Sequence, residues 1–464
     1  MFWHDRPNDA VATFLVNEER RYSYGDVFRL GDALFDGAPP SVAVLLCDRS
    51  VATVAAYLGA LRRGVVPLLL DGRTKGPALA RTIEAYAPRY VLADASVTLP
   101  FYTQTRQIGG KTLFERNEPR VHPLHDMLAL LIPTSGSTGD PKCVRITGAN
   151  IDACTRSVVS YLDMTPDRVT VSLLPFHYSY GLSVLHNTVF VRGRMVLTEQ
   201  SILERSLWQR IEDSGVTDIA GVPFTFETLR RVRLSEKILA NLVCVTQAGG
   251  ALPARLTKHF LQYFSDHGVR YFTMYGQTEA APRISYVPPD RAMEKLGSVG
   301  VPIPGGRVAI IESASGSGEG ELVYEGPNVS MGYAQTAADL ADDDRFGGRL
   351  HTGDQARIDP DGFITIVGRK QRFIKLHGIS INLDHAETVL RNAGVDCMLV
   401  GKENSLVICT TSTDPAPLRA ALDVHFDFHP SVVRIEHCAK LPLTASDKPH
   451  YAELSQRFVE ARTL

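Results

Sequence analysis

Short unbroken apolar runs alternate with stretches of helical period through the first 280 or so residues. Val42 to Cys47 is apolar throughout, Val51 to Arg63 repeats at three- and four-residue spacing, and Val65 to Leu70 is apolar again; Leu79 to Ala87 is helical in period and Tyr90 to Ala93 apolar. Strands covered on both faces read as continuous apolar runs, and helix-length segments between them supply the cover. The rhythm resumes with predicted strands at Val169 to Leu173, Met195 to Thr198, Asp218 to Val222, Leu242 to Thr246 and Tyr271 to Met274. The expectation is therefore α/β: a large N-terminal domain of helix-covered, mostly parallel sheets.

After about Pro282 the pattern shifts to strand and turn, with predicted strands at Arg307 to Ile311, Glu321 to Tyr324, Gln355 to Ile358 and Phe363 to Val367. A small β-rich subdomain follows from that change. Beyond Gln371, a predicted helix at Asp384 to Arg391, strands near Met398 and Leu406, a helix near Leu418 and another from His450 describe a small mobile α+β C-terminal domain. The break at Arg369 to Gln371 divides the chain into residues 1–370 and 371–464.

Composition narrows the function. The 464 residues are 44% hydrophobic, enough for several packed cores. Lys and Arg number 49 against 51 Asp and Glu, a net charge of -2, so no nucleic-acid surface is expected. The seven cysteines are scattered without a C-x-x-C pair, which points to a reducing cytoplasm rather than a disulfide framework. The longest hydrophobic stretch, Val51 to Leu70, is interrupted by Arg62, Arg63 and Gly64, so no membrane span is expected.

The strongest local chemistry is the run TSGSTGDPK, which places Thr134, Ser135, Gly136, Ser137, Thr138 and Gly139 ahead of Lys142. Glycines free the backbone to turn N–H groups toward one anion, hydroxyls add donors, and the lysine supplies charge. An apolar run, Met127 to Ile132, leads into it, and Val144 to Ile146 reads as a strand leaving it. The run is not a Walker A element, because Lys142 is followed by Cys143 and a strand instead of by Ser or Thr and a helix. It reads as a hairpin tip that closes over a polyphosphate. The other glycine-serine patch, Ser313 to Gly320, carries no lysine and reads as a solvated hairpin loop.

With TSGSTGDPK as phosphate loop, the chain resembles the adenylate-forming superfamily of acyl-CoA synthetases, peptide-synthetase adenylation domains and beetle luciferases. The same order of motifs continues with LPFHYSYG at 174–181, QAGGALP at 247–253, YGQTEA at 275–280, GSVGVPIPG at 297–305 and GELVYEGPNVSMGY at 320–333. HTGD at 351–354, GRKQRFIKLHG at 368–378 and LPLTASDKPHY at 441–451 complete it. The resemblance implies ATP and Mg²⁺. Adenine would lie between Gly249-Gly250-Ala251 and the ring of Tyr275, within a motif that continues through Gly276, Gln277 and Thr278 to Glu279, the implied metal ligand. Asp354 would accept from the ribose hydroxyls, Arg369 would contact ribose or phosphate, and Lys448 would bridge the substrate carboxylate and the α-phosphate. The 1–370 domain would then bind ATP and acid, and the 371–464 domain would be the lid bearing the catalytic lysine.

The implied reaction is activation of a carboxylic acid to acyl-AMP with release of pyrophosphate, then transfer to a thiol of CoA or of a phosphopantetheine on a free-standing acyl carrier protein. Phe176-His177-Tyr178-Ser179-Tyr180 offers no aspartate for an α-ammonium group, which favours an aryl or acyl acid without an α-amine. Phe176, His177, Phe224, Phe226 and Gly250 are the expected pocket residues, with His177 gating the site or orienting the carboxylate. For the second half-reaction the resemblance places a hinge at Gln371 and the thiol-tunnel glycine at Gly378. Gln371, Cys143 and His385 depart from the residues usual in the family without touching the adenylation residues, and those at Gln371 and His385 keep an amine or other acceptor open. A nucleotide-binding regulator without turnover is the third reading, and the intact Glu279, Asp354, Arg369 and Lys448 argue against it.

Overall fold

A computed structural model describes residues 1–18, 20–134, 142–312, 318–369, 372–376, 379–426, 430–444 and 449–460. Two large sheets form the body. In the eight-stranded sheet, Leu128–Pro133, Val65–Asp71, Ser41–Cys47 and Tyr90–Asp94 lie parallel at the centre. The helix Val51–Arg63 that crosses between the Ser41–Cys47 and Val65–Asp71 strands has the predicted bounds, for local reasons. The Ser50 hydroxyl accepts from the Thr53 N–H at one end, and Gly64, at φ +70, stops the helix in the left-handed region at the other.

The nine-stranded sheet has six parallel strands, Thr13–Val16, Arg194–Val196, Val169–Val171, Asp218–Gly221, Cys244–Gln247 and Arg270–Tyr275. Both sheets are mixed, because antiparallel strands close their edges: Lys111–Arg116 with Tyr102–Ile108 and Cys143–Thr147 with Tyr333–Ala334 in one, Arg21–Ser23 and Ser285–Tyr286 in the other. An edge strand buries one face at most, so its sequence lacks the unbroken apolar run that marks the centre.

A four-stranded antiparallel sheet of Arg307–Glu312, Gly320–Glu325, Arg349–Ile358 and Ile364–Arg369 forms the β-rich part. Residues from 372 onward build a separate core in which Leu390, Leu399, Ile408 and Leu418 are at most 2% exposed, packed between the helices Leu383–Asn392 and Ala416–His425 and the sheet of Cys397–Lys402, Ser405–Thr410 and Val433–His437. The expected break falls at residues 370 and 371, outside the described residues. No helix among the described residues is long and apolar enough to cross a membrane.

Candidate active site

The phosphate-loop motif begins and ends on one hairpin. Leu128–Pro133 and Cys143–Thr147 pair antiparallel with Pro133 opposite Cys143, and the Thr134 N–H donates to the Lys142 carbonyl at 2.9 Å. The tip itself, with Ser135, Gly136, Ser137, Thr138 and Gly139, lies outside the described residues. Lys142 holds its ammonium 3.5 Å from the centroid of the Tyr333 ring, a cation–π contact made possible because the Tyr333–Ala334 strand pairs with Cys143–Thr147. The Tyr333 hydroxyl donates to Glu279 Oε1 at 2.8 Å. Burial and the adjacent Glu279 raise the Tyr333 phenol above its ordinary pKa, so it stays a neutral donor.

Tyr333 thus joins the phosphate-loop lysine to the expected metal carboxylate. Its segment GELVYEGPNVSMGY carried the resemblance, yet the sequence reading gave the tyrosine no role. Glu279 sits in a short 3₁₀ turn, Thr278–Ala280, with one carboxylate oxygen engaged by Tyr333. No group of three His, Cys, Asp or Glu side chains suited to a metal occurs among the described residues. A lone acidic ligand fits Mg²⁺, which keeps most of its waters and shares substrate phosphates instead of filling a protein cage.

The nucleotide motifs meet at the carboxyl ends of neighbouring parallel strands, the ordinary place for a ligand crevice in α/β sheets. Cys244–Gln247 runs into Ala248-Gly249-Gly250-Ala251, and Gln247 Nε2 donates to the Gly250 carbonyl at 2.8 Å. Gly249 has φ +83, and a Cβ there would lie 2.4 Å from the Tyr178 hydroxyl oxygen, so a larger residue would displace that ring. The next strand, Arg270–Tyr275, ends in Tyr275, whose hydroxyl donates to an Asp354 carboxylate oxygen. Burial, and after it the Asp354 charge, push the Tyr275 phenol well above its ordinary pKa.

Beside it, a Cβ on Gly276 would collide with the Pro282 carbonyl at 2.0 Å, Gln277 Nε2 donates to the Thr352 carbonyl at 3.2 Å, and the Thr278 and Ser179 hydroxyls are 3.1 Å apart. Asp354 sits in the interior of the strand Arg349–Ile358, although T-G-D taken alone is a turn signal. The register of that strand against Gly320–Glu325 shifts between Glu321 and Val323, and Gly353 takes φ +72 beside it. Arg369 ends the paired strand directly opposite Asp354. Its side chain, and all of Gln371, Gly378 and Lys448, lie outside the described residues.

On the acid side, His177 follows the strand Val169–Val171 and precedes the helix Ser179–Val191. Both its ring nitrogens are buried without a hydrogen-bond partner, and Nε2 is 3.9 Å from Asp71 Oδ2. Burial lowers its pKa, against the opposing pull of Asp71, so the imidazole is neutral in the folded protein. Phe176 is 2% exposed in the apolar core, and a Cβ on Gly250 would stand 3.1 Å from Pro223. Phe224 is 42% exposed on the helix Pro223–Leu229, which faces the Gly250 turn. Phe226, read as a pocket residue, is instead fully buried with its ring centroid 5.2 Å from that of Phe260 and 5.6 Å from that of Tyr271. Phe224 and Phe226 flank Thr225 on one short helix, and two residues at that spacing lie about 200° apart round the axis and so point to opposite faces.

The comparisons with known proteins converge on the same reading. The chain is 28% identical over 356 residues to a feruloyl-CoA synthase from Amycolatopsis sp, covering 72% of this chain and 70% of that protein. It is 29% identical over 393 residues to the 2-succinylbenzoate--CoA ligase of Bacillus subtilis, covering 81% and 79%. Among solved structures, the O-succinylbenzoate coenzyme A synthetase MenE of Bacillus subtilis in complex with AMP superposes with a TM-score of 0.78 at 22% identity over 96% of this chain and 95% of its own. ATP-bound MatB from Rhodopseudomonas palustris superposes with a TM-score of 0.80 at 21% identity over 98% and 97%. The model of the AMP-binding enzyme family matches residues 2–334, the stretch that carries the hairpin, the glycine turn, Tyr275, Glu279 and Tyr333, and the chain belongs to that family.

Proposed function

We propose that this protein is an AMP-forming acid–thiol ligase that activates an aryl or acyl carboxylic acid lacking an α-amine. The observation that carries the reading is the wiring of Lys142, Tyr333 and Glu279 at the mouth of one sheet beside the Tyr275–Asp354 pair at the end of the other. The named relatives, a feruloyl-CoA synthase and a 2-succinylbenzoate--CoA ligase, support it, as does MenE solved with ATP and magnesium ion and with its acyl-adenylate OSB-AMP.

Lys142 and the 134–142 loop grip the β- and γ-phosphates of ATP, and Asp354 accepts from the ribose in place of the Tyr275 hydroxyl. Glu279 would hold Mg²⁺, which would supply positive charge toward the pyrophosphate oxygens. A substrate carboxylate oxygen attacks the α-phosphorus in line; the new P–O bond forms as the bond to the β-phosphate oxygen breaks, giving acyl-AMP and pyrophosphate. Lys448 bridges the carboxylate and α-phosphate as charge moves between them. Neutral His177 borders the acid site without adding charge to it. A thiolate then displaces AMP at the acyl carbon. CoA is the acceptor the relatives support, and a carrier-protein phosphopantetheine presents the same thiol. In this reading residues 1–370 bind ATP and acid while 371–464, hinged at Gln371, bring in Lys448 and then Gly378.

ATP–pyrophosphate exchange across a panel of carboxylic acids tests the assignment. Lys448→Ala lowers acid-dependent exchange by orders of magnitude with an unchanged unfolding midpoint; normal exchange in that variant, or accumulation of ADP in place of AMP, defeats it.

A further inference from the structure

One carboxylate of the C-terminal domain, Glu387 on the helix Leu383–Asn392, is 3% exposed and engages four donors, two on each oxygen. Its Oε2 accepts from Arg372 Nη2 at 2.9 Å and from the Leu399 N–H at 3.1 Å. Its Oε1 accepts from the Tyr451 hydroxyl at 2.7 Å and pairs with Arg391 Nη2 at 2.9 Å. Burying a charge is tolerated where it is paired and its lone pairs are filled, as they are here. Arg372 is held by more than Glu387: its Nε donates to Asp384, its Nη1 to the Leu399 carbonyl at 3.1 Å, and its Cζ lies 3.5 Å from the centroid of the Tyr451 ring. Burial, and next the Glu387 charge, raise the Tyr451 phenol above its ordinary pKa, so it stays a neutral donor.

The groups that meet at Glu387 come from opposite ends of the domain. Arg372 is the first residue after Gln371, and Tyr451 opens the helix Tyr451–Ser455 just beyond Lys448. The chain leading to that helix doubles back on itself: Leu443 and Pro449 form an antiparallel bridge, and the His450 N–H donates to the Pro442 carbonyl at 2.9 Å. Lys448 directly precedes Pro449 and is thus covalently attached to this base. Leu454, 1% exposed among Met398, Val400 and Cys409, seats the helix on the sheet. Packing of that kind holds the helix down, while the Tyr451 hydroxyl fixes where its first turn sits relative to Arg372.

We infer that Glu387 is a positioning residue for Lys448. It clasps Arg372, on the lid side of the hinge, to Tyr451, beside the base that carries the lysine, so that a turn at residue 371 brings Lys448 to the α-phosphate as part of one rigid piece. A buried ion network adds little net stability over apolar residues of the same volume, and its contribution here is fixed geometry. In-line transfer demands that geometry, since a misplacement of about 1 Å can cost about 10²-fold in rate. This rests on the adenylating reading and adds the residue through which the lid aims its lysine.

The test separates the two half-reactions, of which only the first uses Lys448. Tyr451→Phe keeps the ring on Arg372 and removes one donor from Glu387. It should lower kcat of acid-dependent ATP–pyrophosphate exchange by about 10- to 100-fold, the range for a hydrogen bond to a charged group, at unchanged KM for ATP and acid. The rate at which CoA converts the synthetic acyl-AMP of the same acid into thioester should stay at the wild-type value. Glu387→Gln should show the same one-sided loss. On a Lys448→Ala background Tyr451→Phe should cost nothing further, because its effect passes through the lysine. Leu390→Ala, which loosens the apolar core of the same domain away from the clasp, supplies the pattern of a purely structural role, with both half-reactions falling together. A Tyr451→Phe loss of that pattern, or a further loss on the Lys448→Ala background, overturns the inference and leaves adenylation standing. Wild-type enzyme that exchanges pyrophosphate with no acid overturns the ligase reading and this one with it.

Discussion

The nucleotide side and the acid side of the site solve the problem of buried polar groups differently. On the nucleotide side each key carboxylate already has a tyrosine donor: Glu279 has Tyr333, and Asp354 has Tyr275. The cation Lys142 rests on the same Tyr333 ring. On the acid side, His177 has both ring nitrogens buried without a hydrogen-bond partner. One half is held in working geometry before any ligand arrives; the other holds open bonding capacity. The nucleotide is common to a whole family of reactions, whereas the acid must be chosen among many, and unfilled buried donors discriminate strongly against a substrate that cannot fill them.

If that contrast is right, damage on the nucleotide side should appear whatever acid is supplied. Glu279→Gln keeps the Tyr333 contact but removes the charge, and exchange should fall by about 10²–10³-fold, as for loss of one transition-state electrostatic group, with a raised Mg²⁺ requirement; a normal Mg²⁺ titration would break the contrast. Asp354→Asn should raise KM for ATP by about 10- to 100-fold, the range for a hydrogen bond to a charged group, at unchanged KM for the acid.

The core behind the helix that follows His177 should instead show itself in pH. Burial alone lowers His186, on the helix Ser179–Val191, to a pKa of about 3, with Nε2 2.6 Å from the Tyr57 hydroxyl. Its folded pKa lies below the unfolded one, so below about pH 6.5 the unfolded chain takes up a proton that the folded chain refuses. Stability present above that pH is therefore lost at up to about 1.4 kcal/mol per unit as pH falls. His186→Gln should flatten the slope between pH 6.5 and 4.5 in urea unfolding; an unaltered slope would mean the imidazole does titrate in place. The smallest effect is expected from Tyr333→Phe. It keeps the ring under Lys142 and loses one hydrogen bond, worth about 1 kcal/mol, so KM for Mg·ATP should rise about fivefold without change in acid preference.

The body of the fold was legible because parallel strands buried on both faces write themselves as apolar runs: Val42 to Cys47 and Val65 to Leu70 came within a residue of the observed strands at each end. The polar edge strand Tyr102–Ile108 went unread because its exposed face breaks any apolar run. The strand Arg349–Ile358 was read only from Gln355, since His351-Thr352-Gly353-Asp354 has the composition of a turn and stays in the strand only through a bulge, with His351 paired to Val323 on one side and Asp354 to Arg369 on the other. For the site, Lys142 was legible in the glycine-hydroxyl run itself and Glu279, Tyr275 and Asp354 were named from resemblance, but no local pattern links Lys142 to Tyr333, far along the chain. Such links depend on which strands become neighbours, and sequence periodicity does not carry that information.

The phenol of Tyr333 belongs by backbone pairing to the sheet that holds Lys142 and by its hydroxyl to the turn that follows Arg270–Tyr275 in the other sheet. For anyone recombining such enzymes to obtain new activities, this sets a rule for where to cut. A crossover between residues 279 and 333 would unite a carboxylate from one parent with an aromatic partner from another, whereas exchanges that carry 142–354 as one block inherit the stitch intact.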